Sequence, residues 1–347
     1  MARPLPDQPR VWISRPTYGD LIEPLYAHFA VEAESEEVAF SSAQLAAKLA
    51  PVDAAIIGMK EHVGAAEIAH APRLRMLANL SVGYDNLDLE ALTAAHIAAS
   101  NTAGALDDSV ADYTWALLLG AARRVGAAER WVRAGAWKKN AGFKAWLGAD
   151  LHGRVLGILG MGRIGRAVAR RAVGFGMPVL YHNRSPLPTA VEQACNARYV
   201  TKAELLRQAD FLVLLVPLTV ASRHAIGAAE LAQMKPGAVL VNVARGGVVD
   251  DAALAQALTE GGIAAAALDV FEGEPAINPA LLACENALLS PHIASASHDA
   301  RRAMTALAVD NVMACFGHGP HAGKPPNILN PAVLSADTGS SHPPSKP

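Results

Sequence analysis

The sequence is poor in charged residues, aromatic residues and cysteine, and it has no long uninterrupted apolar stretch. Charged residues make up 18% of the 347 positions and aromatic residues 5%, and the formal net charge is −2. Without an excess of basic residues, we expect no surface for nucleic acid or for an anionic membrane. Charges or prolines interrupt every apolar stretch before it reaches the length of a membrane span. The opening residues, MARPLP, lack the apolar core of a secretory signal.

The three cysteines give no indication of a disulfide framework or a metal site. They are odd in number and far apart in the sequence, at Cys195, Cys284 and Cys315. We therefore expect reduced, buried thiols in a cytoplasmic protein. We also expect no metal site near the C-terminus, where three histidines lie among glycine and proline: His318, His321 and His342.

Apolar residues make up 52% of the chain, and its length is sufficient for two domains. Short strand and helix patterns alternate through the first hundred residues, which predicts a parallel sheet covered by helices. The expected strands are Val11–Ser14, Ala54–Gly58, Met76–Leu80 and Ile97–Ser100, with helices such as Ser42–Leu49 and Leu87–Ala95 between some of them. We predict one α/β domain over residues 1–104, completed by residues 299–334, which contain a helix over Asp299–Phe316. Residues 335–347, rich in Ser, Pro, Gly and His, are expected to form a disordered tail.

A second α/β domain is predicted over residues 105–298, and its clearest mark is the glycine-rich sequence Gly160-Met161-Gly162-Arg163-Ile164-Gly165. This sequence follows the apolar run Val155–Leu159 and precedes a helix expected over Arg163–Phe175 and a strand over Val179–His182. A strand, a glycine turn and a helix N-terminus together let the backbone approach a pyrophosphate. The spacing of a βαβ unit predicts a dinucleotide-binding domain; the alternative is a glycine turn with a structural role only.

The same domain is expected to contain a long helix over Asp108–Arg124 and a segment near residues 127–150 with three tryptophans: Trp131, Trp137 and Trp146. Solvated loops rarely contain tryptophan, so we expect this segment, called the arm below, to pack on a second subunit. Helix and strand patterns are weak within the arm. The further strands of the domain are expected at Phe211–Val216, Ala238–Val243, Ala264–Val270 and Ala287–Leu289.

Three of these strands are followed by residues that can do chemistry. Arg245 follows one strand, Asp269 and Glu274 follow the next, and His292 follows the last. Ligands of open α/β sheets bind beyond the carboxyl ends of the strands, so these side chains are expected at one rim. Taken singly, an arginine, glutamate or histidine at such a position is more often an ordinary surface or ion-pair residue, and Asp269 could instead cap a neighbouring helix. Together they can hold an anionic substrate and move a proton.

At this point the chain resembles the D-isomer-specific 2-hydroxyacid dehydrogenases. The resemblance covers roughly Val11 to Pro331 and is carried by five ordered segments: Ser81–Asp88, Gly160–Gly165, Val241–Gly247, Asp269–Pro275 and Pro291–Ile293. It implies two doubly wound α/β domains, a flavodoxin-like substrate domain and a Rossmann dinucleotide-binding domain, and a homodimer.

The resemblance also implies roles for individual residues. Arg245 would anchor the substrate carboxylate and the C2 oxygen through paired charge-assisted hydrogen bonds. His292 would give a proton to the C2 oxygen during reduction. Glu274 would bond the other ring nitrogen and fix its tautomer. The backbone amides of Val82 and Gly83 would hold the carboxylate.

The resemblance further implies a nicotinamide cofactor, with Asp269 bonding its carboxamide. The expected cofactor-binding residues are Gly160, Gly162, Arg163, Ile164, Gly165, Asn183, Arg184, Ser185, Pro217, Ala244 and Asp269. An acid at the end of the second strand would favour NAD(H), but Tyr181–Ser185 contains none. Arg184 can pair with a 2′-phosphate, so NADP(H) is the expected cofactor. The alternative is that Arg184 is a solvated loop residue and that the protein also accepts NAD(H).

The substrate implied is a small 2-oxo acid of the glyoxylate or hydroxypyruvate class, reduced to the D-2-hydroxy acid. Met59, Lys60 and Trp146 are further candidates for the substrate pocket. Formate enzymes of this group carry glutamine at the position of Glu274, and phosphite oxidisers carry lysine at the position of Val82. The alternatives are another family substrate, such as 2-ketogluconate or phosphite, or a nucleotide-sensing, corepressor-like binding module.

Overall fold

The computed structural model describes residues 8–139 and 142–336, which form two compact units. One unit contains the residues up to Leu106 together with those from His298 onward, and the other contains Asp107–Ser297. Each unit has a sheet of parallel strands with flanking helices, so the predicted α/β class is confirmed.

The first unit is built on a five-stranded parallel sheet in the order β2-β1-β3-β4-β5. The strands are β1 (Arg10–Ile13), β2 (Ala30–Ala33), β3 (Ala54–Ile57), β4 (Met76–Asn79) and β5 (Ala98–Ser100). The helices between them are α1 (Gly19–Ile22), α2 (Ser42–Leu49), α3 (Ala65–Ile68) and α4 (Leu89–Ala94), with a 3₁₀ turn at Glu23–Ala27. This strand order is the flavodoxin-like form of the doubly wound sheet.

The second unit has a seven-stranded parallel sheet in the order β12-β11-β10-β9-β6-β7-β8. The strands are β6 (Leu156–Leu159), β7 (Val179–His182), β8 (Ala197–Tyr199), β9 (Phe211–Leu214), β10 (Val239–Asn242), β11 (Ala265–Leu268) and β12 (Ala287–Leu289). The helices are α5 (Asp107–Ala122), α6 (Val125–Arg133), α7 (Arg163–Ala172), α8 (Thr189–Ala194), α9 (Lys202–Gln208), α10 (Ala228–Leu231), α11 (Asp251–Thr259) and α12 (Pro279–Leu282), with a 3₁₀ turn at Val173–Phe175. The order is that of a Rossmann fold with one added strand.

The return segment contains α13 (His298–Cys315) and α14 (Ala332–Ala336), which belong to the first unit. Helix α13 places Ala308 and Val312 in the same apolar core as Ile13 of β1. Helices α2 and α4 cover the opposite face of the sheet, where Leu45 packs in a core with Trp12. Both faces of the sheet are therefore buried, as a doubly wound parallel sheet requires.

Several elements were not anticipated from the sequence, among them β2, β8, α6 and α14. Strand β2 lies at the sheet edge with half-buried and exposed residues, and β8 is a three-residue edge strand, so neither has the apolar run of a central strand. Helix α6 spans Val125–Arg133, where the sequence of the arm begins and gives few strong helix or strand signals. Helix α14 ends at Ala336, and residues 337–347, most of the predicted tail, lie outside the described residues.

Of the three cysteines, only Cys195 is buried; the prediction of burial is wrong for Cys284 and Cys315, which are half-buried. The described residues contain no group of three or more potential metal ligands, and His342 lies outside them. Within 8–139 and 142–336, no helix combines the length and apolar character needed to cross a bilayer. The cytoplasmic location stays a prediction.

Candidate active site

The glycine-rich loop joins β6 to α7 at the carboxyl edge of the seven-stranded sheet. Gly160 has φ +102°, and a Cβ there would lie 2.7 Å from the Leu215 carbonyl carbon. A Cβ on Gly165 would lie 2.6 Å from the Gly160 oxygen, so glycine is what lets the helix pack close to the loop. A Cβ on Gly162 would meet no atom within 4 Å, and among the described residues no side chain caps the first N–H groups of α7. The loop therefore has the shape and donors that a pyrophosphate needs.

Arg245 lies in the turn that follows β10. The buried side chain of Asn242 shapes this turn, accepting from the Ala244 N–H at 3.1 Å and donating to the Arg245 carbonyl at 3.2 Å. A Cβ on Gly246 would lie 1.8 Å from the Phe271 oxygen, so the Arg245 turn packs directly against the loop after β11. The guanidinium is half-buried, and its Nη1 donates to the Ala244 carbonyl at 2.8 Å.

The same loop after β11 brings Glu274 to His292. Nδ1 of His292 lies 2.5 Å from Oε1 of Glu274, and Oε2 accepts the Phe271 N–H at 3.1 Å. Burial raises the pKa of the Glu274 carboxyl, but the hydrogen bond and charge of His292, with smaller help from the Phe271 amide and Arg245, leave it below its usual value. Glu274 is therefore a carboxylate that accepts on both oxygens. Its contact with Nδ1 leaves Nε2 of His292 as the outward ring nitrogen.

Asp269 fixes the turn on which His292 lies. Its side chain is fully buried and accepts from the N–H groups of Ile293 and Ala294 at 2.9 and 2.8 Å and from the Ser290 hydroxyl at 2.6 Å. These bonds hold His292 at φ +56°, in the left-handed region that a histidine rarely occupies. The observed contacts of Asp269 are thus with the histidine turn.

The end of β7 carries no carboxylate. The Asn183 side chain accepts the Met161 N–H at 2.7 Å and so ties this strand end to the glycine-rich loop. Arg184 and Ser185 follow and are exposed. Among the described residues, no hydrogen-bond or ion-pair partner is found for the Arg184 guanidinium.

Known proteins of one family match this chain. The sequence model described as D-isomer specific 2-hydroxyacid dehydrogenase, NAD binding domain, matches residues 115–294. A curated glyoxylate reductase from Thermococcus gammatolerans is 44% identical over 94% of this chain and 97% of its own length. The chain belongs to the D-isomer-specific 2-hydroxyacid dehydrogenase family. It is an NAD(P)-dependent oxidoreductase.

Two solved structures resemble this dehydrogenase along nearly its whole length. A glyoxylate reductase from Paecilomyes thermophila has a TM-score of 0.83 and 33% identity, covering 94% of this chain and 99% of its own. An NADPH-dependent glyoxylate/hydroxypyruvate reductase from Sinorhizobium meliloti, solved with NADP and malonate, has a TM-score of 0.82 and 34% identity, covering 93% and 97%.

The remaining predicted site residues of the second unit are Pro217, Ala244 and Trp146. In the second unit, Pro217 is exposed after β9 and Ala244 is buried directly before Arg245. Trp146, at φ +59°, packs on Trp131 with ring centroids 5.4 Å apart and lies under the Arg124 guanidinium at 5.2 Å. The observed partners of Trp146 are thus in its own chain, with Trp131 in the arm and Arg124 just before it.

The substrate-binding residues predicted in the first unit follow neighbouring strands of its sheet. Met59 and Lys60 come after β3, where Met59 is half-buried and Lys60 exposed. Val82 and Gly83 come after β4 and are half-buried.

Sequence reasoning missed the asparagines that shape the dehydrogenase site. Asn242 is the last residue of β10, and Asn183 was expected to bind cofactor rather than to hold the glycine-rich loop. A polar residue at the end of an apolar strand is the only sign of such a role in the sequence. The partner of Asn183 is the Met161 N–H, which is distant along the chain and which the sequence alone does not reveal. The partners of Asn242 lie two and three residues further on, in a local turn of the kind that asparagine forms.

Proposed function

We propose that this dehydrogenase reduces a small 2-oxo acid of the glyoxylate or hydroxypyruvate class to the D-2-hydroxy acid, with NADPH as the reductant. The observation that carries the proposal is the pairing of His292 with Glu274 at 2.5 Å, beside Arg245, at the sheet edge that also bears the glycine-rich loop. The names of the curated relatives, glyoxylate reductases at 42–44% identity, support the substrate class.

Each group of the proposed site has a separate role in the reduction. Arg245 binds the substrate carboxylate and C2 oxygen, and the N–H groups of Val82 and Gly83 bind the carboxylate as well. The hydride for C2 would come from reduced nicotinamide when that cofactor is bound. Nε2 of His292 delivers the proton to the C2 oxygen, while Glu274 keeps the ring oriented through Nδ1 and stabilises its charge. Met59, Lys60 and Trp146 are proposed to shape the substrate pocket.

The residues of the second unit fit a dinucleotide. Gly160, Gly162, Arg163, Ile164 and Gly165 would receive the pyrophosphate, since they give the close backbone approach and the N–H groups of α7. The rest of the cofactor would contact residues that follow three strands of the sheet: Pro217, Ala244 and Asp269. Because Asp269 already accepts three hydrogen bonds, contact with the carboxamide would use a remaining lone pair of its carboxylate.

NADP(H) is favoured over NAD(H) by the residues after β7. Without a carboxylate there, nothing repels a 2′-phosphate, and the exposed Arg184 and Ser185 offer donors to it, next to Asn183. Arg184→Ala is expected to raise KM for NADPH at least tenfold and to leave KM for NADH within about twofold. An equal effect on both cofactors would contradict the assignment of Arg184.

A homodimer is supported by the exposed apolar side chains of the arm. Phe143 is 99% exposed and Trp137 is 62% exposed, and α6 buries none of its side chains within this chain. A second copy that covers these groups would remove them from water. Light scattering after size exclusion tests this: Phe143→Asp is expected to shift a dimer toward monomer, and a monomeric wild type would refute the dimer.

The test of the function is the oxidation of NADPH and NADH in the presence of glyoxylate and of hydroxypyruvate. We expect rapid oxidation that prefers NADPH, and we expect His292→Ala to abolish it while NADPH binding, followed by nucleotide fluorescence, is retained. Absence of turnover with both acids and both cofactors would refute the proposal.

A further inference from the structure

In the first unit, three consecutive carbonyl groups after β4 are held by hydrogen bonds. The Ser81 carbonyl accepts the Thr102 N–H at 3.0 Å. The Val82 carbonyl accepts Nδ2 of Asn101 at 2.8 Å, and the Gly83 carbonyl accepts Nδ2 of Asn79 at 3.0 Å. Each of the three peptide planes between residues 81 and 84 therefore has a fixed orientation.

Peptide planarity carries this orientation to the neighbouring N–H groups. In a trans peptide the N–H points opposite to the C=O of the same plane, so each anchored carbonyl aims the following N–H away from its anchor. The N–H groups of Val82, Gly83 and Tyr84 are aimed in this way. In the part of the chain that the structure describes, none of these three N–H groups has an acceptor. Three consecutive N–H groups without a protein acceptor can donate hydrogen bonds to a bound anion.

The side chains that hold the carbonyls are themselves buried and linked. Asn79 is 0% exposed and Asn101 is 7% exposed. Nδ2 of Asn79 also donates to Oδ1 of Asn86 at 3.1 Å, and Nδ2 of Asn86 donates to the Gly58 and Glu61 carbonyls at 3.1 and 2.9 Å. The network thus joins the 81–84 loop to the loop that carries Met59 and Lys60.

We propose that Asn101 and Asn79 are positioning residues, whose bonds to the Val82 and Gly83 carbonyls aim the N–H groups of Gly83 and Tyr84 at the substrate carboxylate. The proposal rests on the proposed function for the identity of the anion. It extends the carboxylate site from two amides to three and makes substrate affinity depend on asparagines that do not contact the substrate.

Asn101→Ala tests the proposal without adding a charge near the anion. The matched control is Asn330→Ala, because Asn330 is 6% exposed, lies in the same unit and donates to the Ile97 carbonyl at 2.8 Å, away from the 81–84 loop. For each protein, five quantities are measured: KM and kcat with glyoxylate, the inhibition constant of oxalate, the NADPH dissociation constant and Tm. If Asn101→Ala does not fold, Asn101→Ser is used instead.

We expect Asn101→Ala to raise KM for glyoxylate and the oxalate inhibition constant about tenfold or more, with kcat within threefold and NADPH affinity unchanged. Asn330→Ala is expected to lower Tm and to leave KM within twofold. An unchanged KM and oxalate constant in the Asn101 variant, or an equal rise in the Asn330 variant, would overturn the proposal.

The proposed function and this inference fail in different ways. A wild type that reduces neither glyoxylate nor hydroxypyruvate, with either cofactor, refutes the function, and calorimetric titration of wild type and variant with oxalate then decides the role of Asn101. A tenfold loss of oxalate affinity in the variant supports the positioning role. Equal affinity in both proteins, or a wild type that binds no oxalate, overturns it.

Discussion

Replacing Glu274 with Gln tests how the site controls His292. The carboxylate accepts two hydrogen bonds, from Nδ1 of His292 on Oε1 and from the Phe271 N–H on Oε2. A glutamine has one acceptor oxygen and one donor NH₂ at these positions, so it satisfies only one of the two. If the oxygen faces Phe271, the NH₂ faces Nδ1 and requires that nitrogen to be unprotonated. If the oxygen faces Nδ1, the NH₂ opposes the Phe271 N–H.

The expected loss follows from these two arrangements. Leaving a partly buried donor unpaired costs about 1–3 kcal/mol, and exchanging a charge-assisted hydrogen bond for a neutral one costs about 1 kcal/mol more. Together they predict a loss of about 2–4 kcal/mol in transition-state stabilisation, roughly 30- to 900-fold in kcat. Binding of NADPH should be unchanged, because Glu274 is not among the residues proposed to hold the cofactor.

The assay is NADPH oxidation with saturating glyoxylate, with nucleotide fluorescence for cofactor affinity. Glu272→Gln is the matched control: it is the same substitution in the same loop, but its carboxylate contacts His224 and Arg223 instead of His292. The control is expected to keep kcat within about threefold. If Glu274→Gln also keeps kcat within threefold of wild type, the proposed role of the Glu274–His292 pair is refuted.

Two further predictions concern packing and pH. Gly246→Ala places a Cβ 1.8 Å from the Phe271 oxygen and should lower kcat/KM at least tenfold by separating the Arg245 and Glu274 loops. Gly237→Ala is the control, because a Cβ there meets nothing within 4 Å and should leave kcat/KM unchanged. Equal kcat/KM values for the two variants would contradict this packing. Burial raises the pKa of Asp210, but the Lys235 ammonium, 2.9 Å from the carboxylate, and the Val155 N–H lower this pKa below 3.8 overall. The ionised carboxylate therefore stabilises the fold fully above pH 3.8, and this stabilisation is lost as the pH falls through the pKa of Asp210 in the folded protein. Asp210→Asn should thus lower the free energy of unfolding by about 0.5–2 kcal/mol at pH 7 and by less at pH 3. Urea unfolding measures this difference between variant and wild type, and a difference that grows on acidification would refute the expected pH dependence.

The sequence predicted the family and the α/β class because both depend on local patterns. The apolar runs that became β3, β6, β9 and β10 are buried on both faces, so their composition alone marks them as central strands. The edge strands β2 and β8 lack that pattern and were missed. Strand-end chemistry was predictable for Arg245 and His292 because parallel strands bring their carboxyl ends to one edge whatever their order in the sheet.

The tertiary structure alone decided which atoms those residues contact. The sequence places Glu274 and His292 18 residues apart, and only the folded chain brings Oε1 to within 2.5 Å of Nδ1. It likewise shows that Asp269 holds the histidine turn and that Asn79 and Asn101 hold the 81–84 loop. These are bonds between side chains and backbone groups, most of them distant along the chain, and every backbone amide is chemically alike. The sequence therefore determined the residues available for catalysis, and the three-dimensional packing of the loops determined their partners.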